Sequence, residues 1–81
     1  MEIEISKYFE ALEIAKKVNP RLLHHKAVKD GIARIYLLDW KTKEHFIDVS
    51  HEFEDDIEQD YIYTKAEHAI MQKLKIIGAK V

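Results

Sequence analysis

Pro20, Gly31 and Gly78 are the only proline and glycine residues in the chain. Proline cannot continue a helix and glycine alone takes positive φ freely, so these residues punctuate regular structure. With so few of them, the chain must be built from long elements: one ending before Pro20, one on each side of Gly31, and a last one closed by Gly78.

Residues 6–18 predict the first helix. Ile5, Tyr8, Phe9, Leu12 and Ala15 recur at the spacing of one buried helical face. Ser6 is the expected N-cap, with Ile5 as a hydrophobic staple. Lys16 and Lys17 suit the negative end of the helix dipole, and Asn19-Pro20 stops the helix.

Residues 22–50 predict a three-stranded antiparallel meander. Asp30-Gly31 is the first turn. Ile32–Leu38 is rich in branched and aromatic residues, and Phe46–Ser50 alternates as a half-buried strand does. A three-residue loop at 40–42 places Ala33, Ile35 and Leu37 on one face with Ile47 and Val49. The other face then sets Arg34 opposite Asp48 and Tyr36 opposite Phe46.

Residues 65–77 predict the second helix. Thr64-Lys65-Ala66-Glu67 matches a capping box, Ala66, Ile70, Leu74 and Ile77 form an apolar stripe with Ala69 beside it, and Gly78 fits the C′ position. In the stretch between, Phe53, Ile57 and Tyr61 lie four apart, as on a helical turn. An acidic loop anchored by Phe53 and Ile57 satisfies the same spacing. The expected architecture is a single two-layer α+β domain over residues 1–81, in the order α-β-β-β-α, with both helices on one face of the sheet.

Composition closes off several chemistries. The chain has 81 residues and no cysteine, which excludes disulfide scaffolds, Cys-ligated zinc, iron–sulfur clusters and thiol nucleophiles. Met1-Glu2-Ile3-Glu4-Ile5 lacks the apolar run of a signal peptide, and no stretch approaches the ~20 apolar residues of a membrane span. A cytoplasmic location is expected, in the host cytoplasm for a viral chain. Five histidines (His24, His25, His45, His51, His68) stand among Glu44, Glu52 and Glu67 without metal-ligand spacing. Ser6, Ser50, Thr42 and Thr64 form no nucleophile motif, and the two glycines make no phosphate-cradling loop. No enzyme, metal or cofactor is therefore expected.

Two features carry functional expectations. The outer sheet face should show Arg34, Tyr36, Leu38 and Phe46, joined by Leu22, His24 and Lys26, with Trp40 on the adjoining turn. Tyr, Trp and Arg are the residues enriched at binding hot spots. The second feature is charge segregation. The formal net charge is −2, yet residues 44–63 hold eight carboxylates and no Lys or Arg. Such a run either solvates a loop or steers the chain onto a basic protein surface.

The expected function is thus a small non-enzymatic protein-binding module, an adaptor or an inhibitor. Arg34, Tyr36, Trp40 and Phe46 are its anchors, and Glu54, Asp55, Asp56 and Glu58 are its steering charges. Carboxylates along an edge also suit mimicry of a nucleic-acid backbone, as small phage and viral inhibitors use as a class. The alternative is nucleic-acid binding, since aromatic residues on an open sheet can stack bases. The element order is shared with double-stranded RNA-binding domains. That family's Gly-Pro-x-His loop is absent, and Thr64-Lys65-Ala66-Glu67-His68 lacks its basic run. A homodimer burying the aromatic face is a further expectation.

Overall fold

The computed structural model describes residues 5–79. Helix α1 (Ile5–Val18) leads into strands β1 (Leu22–Lys29), β2 (Ile32–Asp39) and β3 (His45–Glu52). A short 3-10 turn, Asp56–Asp60, then runs into helix α2 (Tyr61–Ile76). The sheet is antiparallel in the order β1-β2-β3. Both helices pack against one face of it and against each other, so the α+β meander is as expected. Among the described residues, no helix is long and apolar enough to cross a membrane.

The core lies between the sheet and the helix pair. From the sheet come Leu22, Ala33, Ile35, Leu37 and Ile47; from α2, Ile62, Ala66, Ile70 and Leu74; from α1, Tyr8, Ala11, Leu12 and Ala15. Burying a large aliphatic side chain contributes about 1.5–3 kcal/mol, so these few residues carry most of the fold's stability. The expected stripes shift slightly. Phe9 and Ile77 are about half exposed, while Ala11 and Ile62 are buried in their place.

Both helix starts differ from expectation. Ser6 lies within α1 rather than before it, so it is not the cap; the leading Met1-Glu2-Ile3-Glu4 segment lies outside the described residues. Thr64 lies inside α2 and caps nothing, because the helix begins three residues earlier at Tyr61. The side-chain cap sits upstream, on the 3-10 turn: Asp55 Oδ1 accepts the Ile57 N–H at 3.1 Å. The 3-10 turn that follows feeds straight into α2, with the Tyr61 N–H donating to the Glu58 carbonyl. A preceding turn of helix satisfies the first donors of α2, so a side-chain cap at its start is not needed.

The other end of α2 is as predicted. Gly78 takes φ +75°, and the N–H groups of Gly78 and Ala79 donate to the carbonyls of Lys75 and Leu74. This is the Schellman pattern of bonds.

The β2–β3 register departs from the expected one. Asp39 and Glu44 close a four-residue loop, with the Asp39 N–H donating to the Glu44 carbonyl at 2.9 Å. That loop alone would turn Asp48 and Ser50 toward the core. A bulge at Phe46 corrects the phase: Leu38 pairs with His45, and Leu37 with Ile47. Ile35 then faces Val49, while Arg34 faces Ser50 and Tyr36 faces Asp48. The core face is therefore as predicted, but the cross-strand pairs are displaced by one step along each face.

Asp39 anchors the loop. It is 6% exposed and accepts from Asn19 Nδ2 and Arg21 Nη2, each at 2.9 Å, and from the N–H groups of Lys41 and Thr42. The Asn19 hydrogen bond, with help from the two N–H donors and Arg21, pulls its pKa down to about 2. This network ties the end of α1 to the β2–β3 loop.

Candidate functional site

With both helices on one side, the other face of the sheet is left uncovered by the described residues. Strand alternation brings Leu23, His25 and Ala27 of β1 to it, with Arg34, Tyr36 and Leu38 of β2 and His45, Asp48 and Ser50 of β3. Tyr36 stands at its centre. Its ring centroid lies 4.8 Å from that of His25 and 5.1 Å from that of His45, which meets it edge-on. The Arg34 guanidinium carbon lies 4.9 Å from the same centroid, a cation–π contact. Four side chains from three strands thus hold one another upright.

Arg34 does not face Asp48 directly, yet it reaches it on the diagonal. Nε donates to Oδ1 at 2.8 Å and Nη2 to Oδ2 at 2.6 Å. This bidentate pair holds the Asp48 carboxyl below the usual range and the Arg34 guanidinium above its own. Arg34 is in this way fixed beside Tyr36, and its charge is largely answered on the spot. Leu23, paired with Leu38, borders the cluster and is about half exposed, as is Trp40 on the turn that follows Asp39. Trp40 follows the loop corner at Asp39 and continues the alternation of Arg34, Tyr36 and Leu38.

Several residues expected on this face lie elsewhere. Phe46, displaced by the bulge, packs against the core on the helix side, with its ring centroid 6.0 Å from the Lys73 ammonium. It cannot act as an anchor beside Tyr36. Leu22, His24 and Lys26 also point to the helix layer, because β1 pairs Leu22 with Asp39 and His24 with Leu37. His24 sits under Tyr8, and Lys26 donates to the Tyr63 hydroxyl at 2.9 Å. The residues that sequence reasoning missed here, Leu23, His25 and His45, are the register partners of the predicted ones. The β1–β2 pairing across Asp30-Gly31 was the signal that could have found Leu23 and His25; His45 reaches the face through the bulged β2–β3 register, which no local signal reports.

The steering carboxylates lie at the end of the sheet where β1 turns into β2. An open groove of about 420 Å³ brings together Asp30, Glu52, Glu54 and Glu58, with Gly31, Ile32 and Phe53 between them. Phe53 holds this stretch in place, its N–H donating to the Gly31 carbonyl and its ring packed on the core. Ile57 does not anchor it; this residue is 76% exposed, and nothing in the 3-10 turn is buried. Asp48 and Glu44 do not join the cluster. The first is bound to Arg34 on the sheet face, and the second stands at the opposite end, in the β2–β3 loop.

The histidines are dispersed: one under Tyr8, two beside Tyr36, His51 against Tyr61, and His68 next to Glu67. Among the described residues, no three His, Asp or Glu side chains converge to hold a metal ion. No protein-family model, curated protein or solved structure matches the chain.

Proposed function

We propose that the chain is a small protein-binding module, an adaptor or inhibitor, that presents the outer sheet face to a partner with a basic surface. The carrying observation is the face that the described residues leave uncovered, with Tyr36 braced by His25, His45 and Arg34, Leu23 and Leu38 paired beside it, and Trp40 exposed on the adjoining turn. Preorganised aromatic and arginine side chains lose little entropy on binding, which is what an anchor requires. The carboxylates from Glu52 to Asp60 lie at one end of this face and supply long-range attraction to a basic surface. The guanidinium that would meet a phosphate is already held by Asp48, which favours a protein partner over a nucleic acid.

The test is capture of a partner at low salt by the immobilised chain, followed by binding measurements with that partner. Tyr36→Ala combined with Trp40→Ala should reduce affinity by at least tenfold while leaving the urea midpoint little changed. Replacing Glu54, Asp55, Asp56 and Glu58 by their amides should slow association and leave dissociation nearly as before. Wild-type affinity in the Tyr36/Trp40 variant would remove the sheet face from the contact. A shift of labelled oligonucleotides at low salt, lost steeply as salt rises, would favour the nucleic-acid reading instead.

A further inference from the structure

The topology separates charge along the molecule. At one end lie the Asp30-Gly31 turn, Glu52–Asp60 and the start of α2. At the other lie the ends of both helices, with Lys16, Lys17, Lys73 and Lys75, and the loop bearing Lys41 and Lys43. Each end also carries apolar surface that the fold leaves exposed. At the acidic end Val28 and Ile32 are partly exposed beside the Asp30-Gly31 turn, and the most exposed apolar side chain is Ile57, 76% exposed, on a turn whose neighbours are Asp55, Asp56 and Glu58. At the basic end it is a concavity: Val18, Pro20, Phe46 and Ile77 line an open groove of about 490 Å³, rimmed by Arg21 and Lys73. Val18, Ile76 and Ile77 are between 45% and 78% exposed there.

We propose that the groove receives the Ile57 turn of a second copy of this chain, head to tail. The apolar side chain fills the apolar floor, and its flanking carboxylates meet Lys73 and the helix-end lysines. Arg21 is already paired with Asp39, and Glu44 stands at the edge, so the positive charge that favours an acidic visitor is that of Lys73 and the helix-end lysines Lys16, Lys17 and Lys75. Knob and groove lie on different surfaces of one molecule, so the contact is heterologous. It leaves a free knob and a free groove after every addition, so it grows beyond a dimer until a ring of three or more copies closes. One anchoring side chain and a few charges place it among small interfaces, below about 1,200 Å² of total buried area, so it forms at high protein concentration. It shares the acidic turn with the function proposed above but does not need the sheet face.

Sedimentation equilibrium of the full chain at low salt, from micromolar to millimolar concentration, reads this directly. The weight-average mass should rise above 9.6 kDa, pass that of a dimer and fall back when salt is added. Ile57→Glu alone and Ile77→Glu alone should each return the chain to monomer. Both positions are exposed, and Ile57→Ser provides a milder knob variant should the glutamate disturb the turn. Mixed in equal amounts, the knob variant and the groove variant should regain association but stop at a dimer, because one intact groove and one intact knob remain between them. Tyr36→Ala with Trp40→Ala should leave self-association untouched, which separates this contact from partner binding. A wild-type chain that stays monomeric, one that plateaus at a closed dimer, or a mixture that stays monomeric would each overturn the proposal.

Discussion

The Tyr8 hydroxyl lies 2.6 Å from His24 Nδ1, a hydrogen bond that joins α1 to β1 beneath the sheet. Tyr8 is fully buried, and burial, reinforced by Tyr63, raises its pKa well above the ordinary phenol value. The phenol therefore keeps its proton and donates it. With the phenol as donor, the His24 imidazole accepts at Nδ1, which is the tautomer with its proton on Nε2. Around this pair, Tyr8 meets Phe9 and Tyr63 edge-on at 5.2 and 5.3 Å, and the Lys26 ammonium sits 4.5 Å from the Tyr63 ring centroid.

Tyr8→Phe keeps the ring and removes only the donor. The loss is one buried hydrogen bond and an acceptor on His24 left short of its partner, at a cost of about 1–2 kcal/mol. Urea denaturation followed by circular dichroism should show a lower midpoint with an unchanged slope. An unchanged midpoint would mean that the contact contributes nothing net.

The same pair gives the fold a pH response. Burial, followed by Lys16, His25 and Lys26, lowers the His24 pKa from its ordinary value of 6.5. The unfolded chain thus takes up a proton at His24 before the folded chain does, and stability falls as pH drops below about 6.5. It is level above that point as far as His24 is concerned. Asp39 and Asp48, with pKa values lowered from 3.8, add a second loss as pH falls through 3.8 toward their lowered values. Urea midpoints across pH 5 to 8 should show the first decline in the wild type and a flatter limb in His24→Gln.

How much of this was legible beforehand depends on the range of the interaction that decides it. The Asp30-Gly31 turn and the core face of β2 follow from local chemistry and a period of two, so both were readable. Asp30 and Gly31 indeed take φ of +53° and +75°. The register of β3 is set by Asp39, which recruits Asn19 and Arg21 from the far side of β1; no local pattern reports such a contact. The bulge at Phe46 then conceals itself, because it restores the alternation that a sequence reading expects. Arg34, Tyr36 and Trp40 could therefore be placed on or beside the outer face, whereas Phe46 could not be assigned to the other layer. Likewise Thr64 satisfies a capping box in sequence, while the true start of α2 is fixed by a 3-10 turn made of acidic residues with no apolar period.

That displaced cap is open to a direct comparison. Thr64 is exposed inside α2, so Thr64→Ala trades a poor helix former for the best one and should be neutral or stabilising by about 0.5 kcal/mol. Asp55→Ala removes the side chain that accepts the Ile57 N–H and should cost about 1 kcal/mol. Thermal melts of the two variants should move in opposite directions or differ clearly in size. A larger loss at Thr64 would restore the capping-box assignment.

Gly31 and Gly78 offer a paired test of backbone against crowding. Both have φ +75°, a region where any Cβ costs roughly 1–2 kcal/mol. At Gly78 a Cβ would meet nothing within 4 Å, so Gly78→Ala should show that conformational cost alone. At Gly31 the Cβ would stand 3.3 Å from the Phe53 carbonyl oxygen. The Phe53 N–H is bonded to the Gly31 carbonyl, so this oxygen belongs to a backbone that has little room to yield. Gly31→Ala should therefore be the more damaging of the two, and the difference between their urea-derived stabilities measures how rigidly the acidic turn is held against the sheet. Equal losses would show that the stretch after Phe53 gives way, and with it the fixed placement of Glu54, Asp55, Asp56 and Glu58.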